Sequence, residues 1–222
     1  MEQKVASDIK NLVDGVQSIY LGGSRAYGAE KAGSDWDFFG VVDSQYDFGD
    51  EKKLNEKLSD KYSQEIRFRG ISLEELNGGQ QRGVLTKHIP VQIIMKSFRF
   101  WKHLDGTKYR LENFEVSPAS AKQELKFHIK RIRNYEQEAI DGQLPFPFED
   151  YLKTVLLLIS AKQQTEGKDY TLNYKRIQER SNGLDKMLAD KCMRYRNEGE
   201  IDKEAFFKEL RRYLNSIDQK QY

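Results

Sequence analysis

Two aspartates stand one residue apart in an aromatic run, Asp35-Trp36-Asp37-Phe38-Phe39, shortly after the apolar run Ile19-Tyr20-Leu21 ends in Gly22-Gly23-Ser24. In a strand the side chains alternate, so Asp35 and Asp37 share one face while Trp36 and Phe38 turn to the other and enter a core. Two carboxylates side by side repel unless a positive charge stands between them. A divalent metal is the usual answer, and Mg²⁺ takes oxygen ligands together with substrate phosphates. Gly22 and Gly23 let the backbone turn sharply and leave room for a ligand. A helix beginning near Ser24 would aim its free amides at an anion, and the Ser24 hydroxyl adds a donor.

These two halves occur in a fixed order: Gly23-Ser24, a ten-residue gap, then Asp35-Trp36-Asp37. The arrangement resembles the signature of the DNA polymerase beta-like nucleotidyltransferases. The longer strings Gly23-Ser24-Arg25-Ala26-Tyr27-Gly28 and Ser34-Asp35-Trp36-Asp37-Phe38-Phe39-Gly40 resemble a bacterial and phage subgroup of them. The resemblance implies an α/β (α+β) core with a mixed sheet, followed by a helical domain. It implies a Mg²⁺-dependent enzyme that transfers a nucleoside monophosphate from a nucleoside triphosphate to a hydroxyl acceptor and releases pyrophosphate. Two metal ions would be held by Asp35 and Asp37, with Gly23 and Ser24 on the terminal phosphates. A third carboxylate on an adjacent strand is expected, and Glu65 is the acid placed for it. The alternative reading of Glu65 is a cross-strand salt bridge to a neighbour such as Arg67. Arg25 is read either as a phosphate contact or as a solvent-facing arginine.

Along the chain, Val5, Ile9, Leu12, Val13 and Val16 recur at helical spacing, predicting a helix over 4–16. Strands follow at 17–21 and 34–42, with a helical turn at 25–30 between them. Residues 43–60 read as a polar, mobile segment. Ile66 and Phe68 alternate with Glu65, Arg67 and Arg69, predicting a strand over 62–71 with one polar face. Ser72 to Leu76 reads as a short helix capped by Ser72 with Glu75 completing a capping box. Residues 89–95 read as a strand started by Pro90. Gln92 and Ile94 stand there where the resembling subgroup carries an acid. His88 and His103 read as surface or loop residues.

Ser117, read as a helix N-cap with Pro118 at the first helical position, marks a boundary, giving a nucleotidyltransferase domain over 1–116 and a helical domain over 117–222. Helices are predicted at 118–140, 149–166, 173–178, 184–197 and 203–218. The helix at 149–166 resembles one in the same subgroup in which a lysine near the start faces the nucleotide cleft. Lys153 is the matching position, readable otherwise as an exposed helical lysine, and an arginine of the subgroup's pattern has no counterpart in 155–160. Phe127, Ile129, Ile132 and Tyr135 are expected to line one face of 118–140. Lys126, Lys130, Arg131 and Arg133 form a basic cluster there.

Lys and Arg total 37 against 35 Asp and Glu, a net charge of +2, which gives no general drive toward nucleic acid. The single Cys192 excludes an intramolecular disulfide and a cysteine-rich zinc site. No apolar run is long enough to span a bilayer, and the amino-terminal residues lack the apolar core of a signal peptide, so a cytoplasmic protein without membrane contact is expected. The acceptor is left open among a small molecule, an RNA end and a protein side chain. Two other classes stand beside the enzyme: an antitoxin-like regulatory module with a nucleotidyltransferase fold, and a nucleic-acid binder using the basic helical half.

Overall fold

A computed structural model describes residues 1–31 and 33–219. The chain divides into two compact units, Met1–Ala119 and Ser120–Tyr222. The first begins with α1 (Glu2–Leu12), β1 (Val16–Leu21), α2 (Gly23–Tyr27) and β2 (Trp36–Val42). It continues with α3 (Glu51–Tyr62), β3 (Ile66–Ser72), α4 (Leu73–Leu76), α5 (Val91–Phe98) and β4 (Lys102–Gly106). The strands form one mixed sheet in the order β3-β2-β1-β4. β1 is antiparallel to β2 and β4, whereas β2 and β3 run parallel.

Period-two alternation divides the apolar residues between the two sheet faces. On one face Ile19, Leu21, Phe38, Ile66 and Phe68 pack with Val5, Ala6 and Ile9 of α1 and Leu54 and Leu58 of α3. On the other, Tyr20, Val41 and Ile71 pack with Val91, Ile94, Met95 and Phe98 of α5 and with Phe114. Burial of both faces explains the apolar density of β2.

The segment expected to be polar and mobile, 43–60, is largely ordered as a 3-10 turn (Phe48–Asp50) and α3. Adjacent parallel strands need a crossover, and α3 supplies it. Leu54, Leu58 and the part-buried Tyr62 give it a narrow apolar stripe, because the neighbouring stripe has another task. Glu51, Asn55 and Ser59, four residues apart, reach the outer edge of β3. The Glu51 carboxylate accepts from Gly70 N at 2.8 Å. Asn55 accepts from Phe68 N at 2.7 Å and donates to Phe68 O at 3.2 Å. Ser59 Oγ accepts from Ile66 N at 3.0 Å and donates to Ile66 O at 3.3 Å. Four helical residues rise about 6 Å and two strand residues about 6.6 Å, so the two ladders stay in step. The helix therefore stands in for a fifth strand and closes an edge that would otherwise pair with other chains.

Other expectations need correction. The first helix stops at Leu12, and Val16 opens β1 instead of ending the helix. Residues 91–98 are helix α5, not a strand: Val91, Ile94, Met95 and Phe98 follow helical spacing and all are buried. His103 lies in β4, a strand not foreseen because Leu104 is the single buried residue of its polar sequence. The capping box of Ser72 and Glu75 is present as expected.

The second unit contains α6 (Ala121–Asn134), α7 (Glu136–Asp141), α8 (Phe148–Thr165), α9 (Tyr174–Arg180), α10 (Gly183–Glu198) and α11 (Lys203–Gln219). The expected single helix over 118–140 is two, and its cap is Ser120, with Gln123 completing a capping box, not Ser117. Its buried face carries Glu124, Leu125, His128 and Ile132, one position off the expected Phe127-Ile129 line. α8 is the core helix, burying Tyr151, Leu152, Val155, Leu156, Leu158 and Ile159. Cys192 is fully buried, and burial pushes its thiol pKa far up, so it is an inert core residue.

The helix-for-strand edge predicts the effect of Asn55→Ala. The Phe68 amide and carbonyl lose their partners in a part-buried edge, which should cost about 1–2 kcal/mol. Urea unfolding followed by circular dichroism should show that loss as a lower midpoint with an unchanged slope.

Candidate active site

β1 delivers Gly22 at its carboxyl end, directly across from the start of β2. The Gly22 amide donates to the Asp37 carbonyl at 2.9 Å, extending the β1–β2 ladder by one rung. That amide is therefore committed to the sheet. Gly23 has φ +61, a left-handed conformation that glycine adopts without strain. A Cβ at Gly23 would fall within the carboxylate of Asp37, and one at Gly22 would fall within the ring of Phe39. The two glycines thus let the turn close onto β2, with the Asp37 carboxylate seated over Gly23. The Ser24 hydroxyl makes no hydrogen bond among the described residues, while its carbonyl accepts from Gly28 and Ala29 at the end of α2.

Arg25 is a clamp within this turn. Its Nε donates to the Asp35 carbonyl at 3.1 Å and its Nη2 to the Ser34 carbonyl at 2.6 Å. The guanidinium lies over the Trp36 ring, 3.9 Å from its centre. These bonds fix the segment that carries Asp35 and leave Arg25 little freedom to reach a phosphate. An aromatic wall unforeseen in the sequence stands beside Gly22: Phe39 stacks on Trp101 at 4.1 Å between ring centres, and Trp101 Nε1 donates to the Tyr27 hydroxyl at 3.0 Å.

Asp37 is in β2, and Asp35 lies one residue before it, with an 18% exposed side chain. Across the parallel pair, Asp37 is in register with Arg67. Arg67 Nη1 binds Asp35 Oδ2 at 2.8 Å, while its Nε and Nη2 bind Glu65 Oε1 at 3.0 and 2.5 Å. Burial works against the charge on Arg67, but Asp35, Glu65 and Asp37 more than offset it, so its pKa is raised. Asp35 thus has a positive partner brought by the neighbouring strand, which the local sequence does not reveal.

Glu65 precedes β3 instead of lying inside it, and its side chain is 60% exposed. It reaches Asp35 through the guanidinium of Arg67. Among the described residues, no three His, Cys, Asp or Glu converge as a metal-holding group. Asp37 meets the Gly22–Gly23 turn, and Asp35, two residues before it, is held by Arg67. Two carboxylates at one strand start, one of them filling the space an absent Cβ leaves, are a donor set that suits a small hard cation. In the second unit, Lys153 Nζ binds Asp150 at 2.8 Å and lies 3.8 Å from Glu149, so its charge is compensated within α8.

No protein-family model and no curated protein matches the sequence. The structure is similar to that of the spectinomycin adenyltransferase AAD(9) from Enterococcus faecialis, solved with ATP and spectinomycin. The alignment covers 97% of this chain and 97% of that one, with 18% identity and a TM-score of 0.57. The chain has a nucleotidyltransferase fold. Two toxin–antitoxin structures, one with AMP-PNP and one of MntA-HepT, align with 62% of this chain and with 93% and 89% of theirs. Their identities are 17% and 18% and their TM-scores 0.38 and 0.34, too low to add to the fold assignment. Among the described residues no helix is long and apolar enough to cross a membrane.

The seat of Asp37 over Gly23 predicts that Gly23→Ala strains the turn twice, through its left-handed φ and through the clash with the carboxylate. The left-handed conformation alone costs about 1–2 kcal/mol for an alanine. Denaturant unfolding should show at least that loss, whereas Gly33→Ala, with open space around its Cβ, should show only the backbone cost.

Proposed function

We propose that this chain is a nucleotidyltransferase that moves a nucleoside monophosphate from a nucleoside triphosphate to a hydroxyl acceptor. The carrying observation is the Asp37 carboxylate seated on the Gly22–Gly23 turn beside Asp35, in a fold shared with an ATP-binding adenyltransferase. In the reaction the acceptor hydroxyl loses its proton to solvent, its oxygen forms a bond to the α-phosphorus, the bond from that phosphorus to the α,β-bridging oxygen breaks, and pyrophosphate leaves. Asp35 and Asp37 would hold Mg²⁺, one ion or two, which when bound stabilises the charge on the entering and leaving oxygens. The Ser24 hydroxyl and the turn at Gly23 receive the terminal phosphates, donating where negative charge accumulates. Arg25 keeps the Asp35 segment in place through the carbonyls of Ser34 and Asp35. The Tyr27, Phe39 and Trp101 side chains give the turn a rigid aromatic backing.

Glu65 is left outside the proposed metal set because its carboxylate is engaged by Arg67 and turned largely to solvent. Lys153 is proposed as an intrahelical ion-pair partner and not as a phosphate ligand. A hydroxylated small molecule is the first acceptor to test, following the spectinomycin of the structural neighbour.

The test is pyrophosphate release from each nucleoside triphosphate with Mg²⁺, with mass spectrometry for the adduct on small molecules, RNA or protein. Asp35→Ala and Asp37→Ala should each reduce release to background while thermal unfolding stays close to wild type. Removing Asp35 takes one partner from Arg67, which keeps Glu65, so the loss should stay at about 1 kcal/mol. Substantial turnover by either variant would overturn the assignment.

A further inference from the structure

Arg67 stands in register with Asp37 of the proposed metal pair. Its planar fork is divided between two acids. One nitrogen holds Asp35 at 2.8 Å, and the other two hold Glu65 at 3.0 and 2.5 Å. The two acids differ in setting: the Asp35 side chain is 18% exposed and that of Glu65 is 60% exposed. The inner contact is therefore with a proposed metal ligand, and the outer one is an anchor near solvent. Arg69, two residues on and on the same strand face, does not duplicate it. Arg69 donates to the Phe68 carbonyl and lies 3.9 Å from Glu51.

We propose that Arg67 is the resident counter-cation of this site, holding Asp35 while no nucleotide is bound and releasing it to the metal when a triphosphate arrives. The proposal rests on the reading of Asp35 and Asp37 as the metal-holding pair. A guanidinium and a divalent cation compete for the same Asp35 oxygen, so metal alone must displace a formed ion pair. A triphosphate removes that competition, because its oxygens match the guanidinium fork and bind it in two-pronged fashion. Glu65 keeps the arginine at the site while its inner contact opens. Metal and triphosphate then bind with positive coupling, which is reciprocal by linkage. The site stays empty of loosely held metal until its substrate is present.

The experiment titrates Mn²⁺ into wild type, Arg67→Gln and Arg67→Lys, with free Mn²⁺ read by electron paramagnetic resonance. Each titration is run without and with a non-hydrolysable ATP analogue, and circular dichroism checks the fold. Without the analogue, Arg67→Gln should bind Mn²⁺ about tenfold more tightly than wild type, a coupling of ordinary size. The analogue should tighten Mn²⁺ binding by wild type more than by the variant. Arg67→Lys, which keeps the charge but lacks the fork, should fall between them, and it carries the comparison if Arg67→Gln does not fold. Equal Mn²⁺ affinity in wild type and the folded variants without analogue would overturn the role of Arg67 and leave the metal pair standing. Absence of Mn²⁺ binding in every protein, with and without analogue, would remove the metal reading itself and this proposal with it.

Discussion

Strands β2 and β3 run parallel, with Trp36 beside Ile66 and Asp37 beside Arg67, and the candidate site follows from that register. The pairing places a guanidinium against two aspartates that no cation accompanies in the local sequence. It also requires a crossover, and the crossover helix α3 covers one sheet face while closing the β3 edge. A slip of one residue would exchange Arg67 for Ile66 or Phe68 and carry the arginine into the core. Two glycines keep the register tight: Gly40 lies where a Cβ would meet the Phe68 ring, and Gly70 where one would meet the Tyr46 ring.

The Gly-Gly-Ser turn and the paired aspartates are legible in the sequence because their chemistry is local. Gly22, Gly23, Asp35 and Asp37 lie within sixteen residues and each constrains the other's backbone. The strand character of 66–71 and the capping box at Ser72 are also local and were readable. The role of Glu65 was not, because it depends on whether a carboxylate beside Arg67 meets a metal or the arginine. Glu65 stands two residues before Arg67 at the entry to β3, and the arginine takes its carboxylate.

The misread elements share a cause in tertiary context. α3 carries only two core leucines because its second stripe, Glu51, Asn55 and Ser59, serves the backbone of β3 instead of the core. Polar residues with a structural partner elsewhere in the chain look like solvent-facing ones. α5 shows the converse. Its β-branched Val91, Ile93 and Ile94 favour a strand by propensity, yet burial of one helical stripe against the sheet decides the outcome. β4 is polar because it is a short edge strand with a single buried leucine.

Three charges meet in this reading: a carboxylate seated on a glycine turn, a second held by a guanidinium that the parallel register supplies, and a substrate that would bring both its own negative charge and a metal. A structure of the protein with Mn²⁺ and a non-hydrolysable ATP analogue, phased for Mn²⁺ by anomalous scattering, tests this most directly. The expected result is an anomalous peak within coordination distance of oxygens of both Asp35 and Asp37, with the triphosphate at the Gly23–Ser24 turn and Arg67 no longer on Asp35. A triphosphate bound away from that turn, or an anomalous peak shared by neither aspartate, would contradict it.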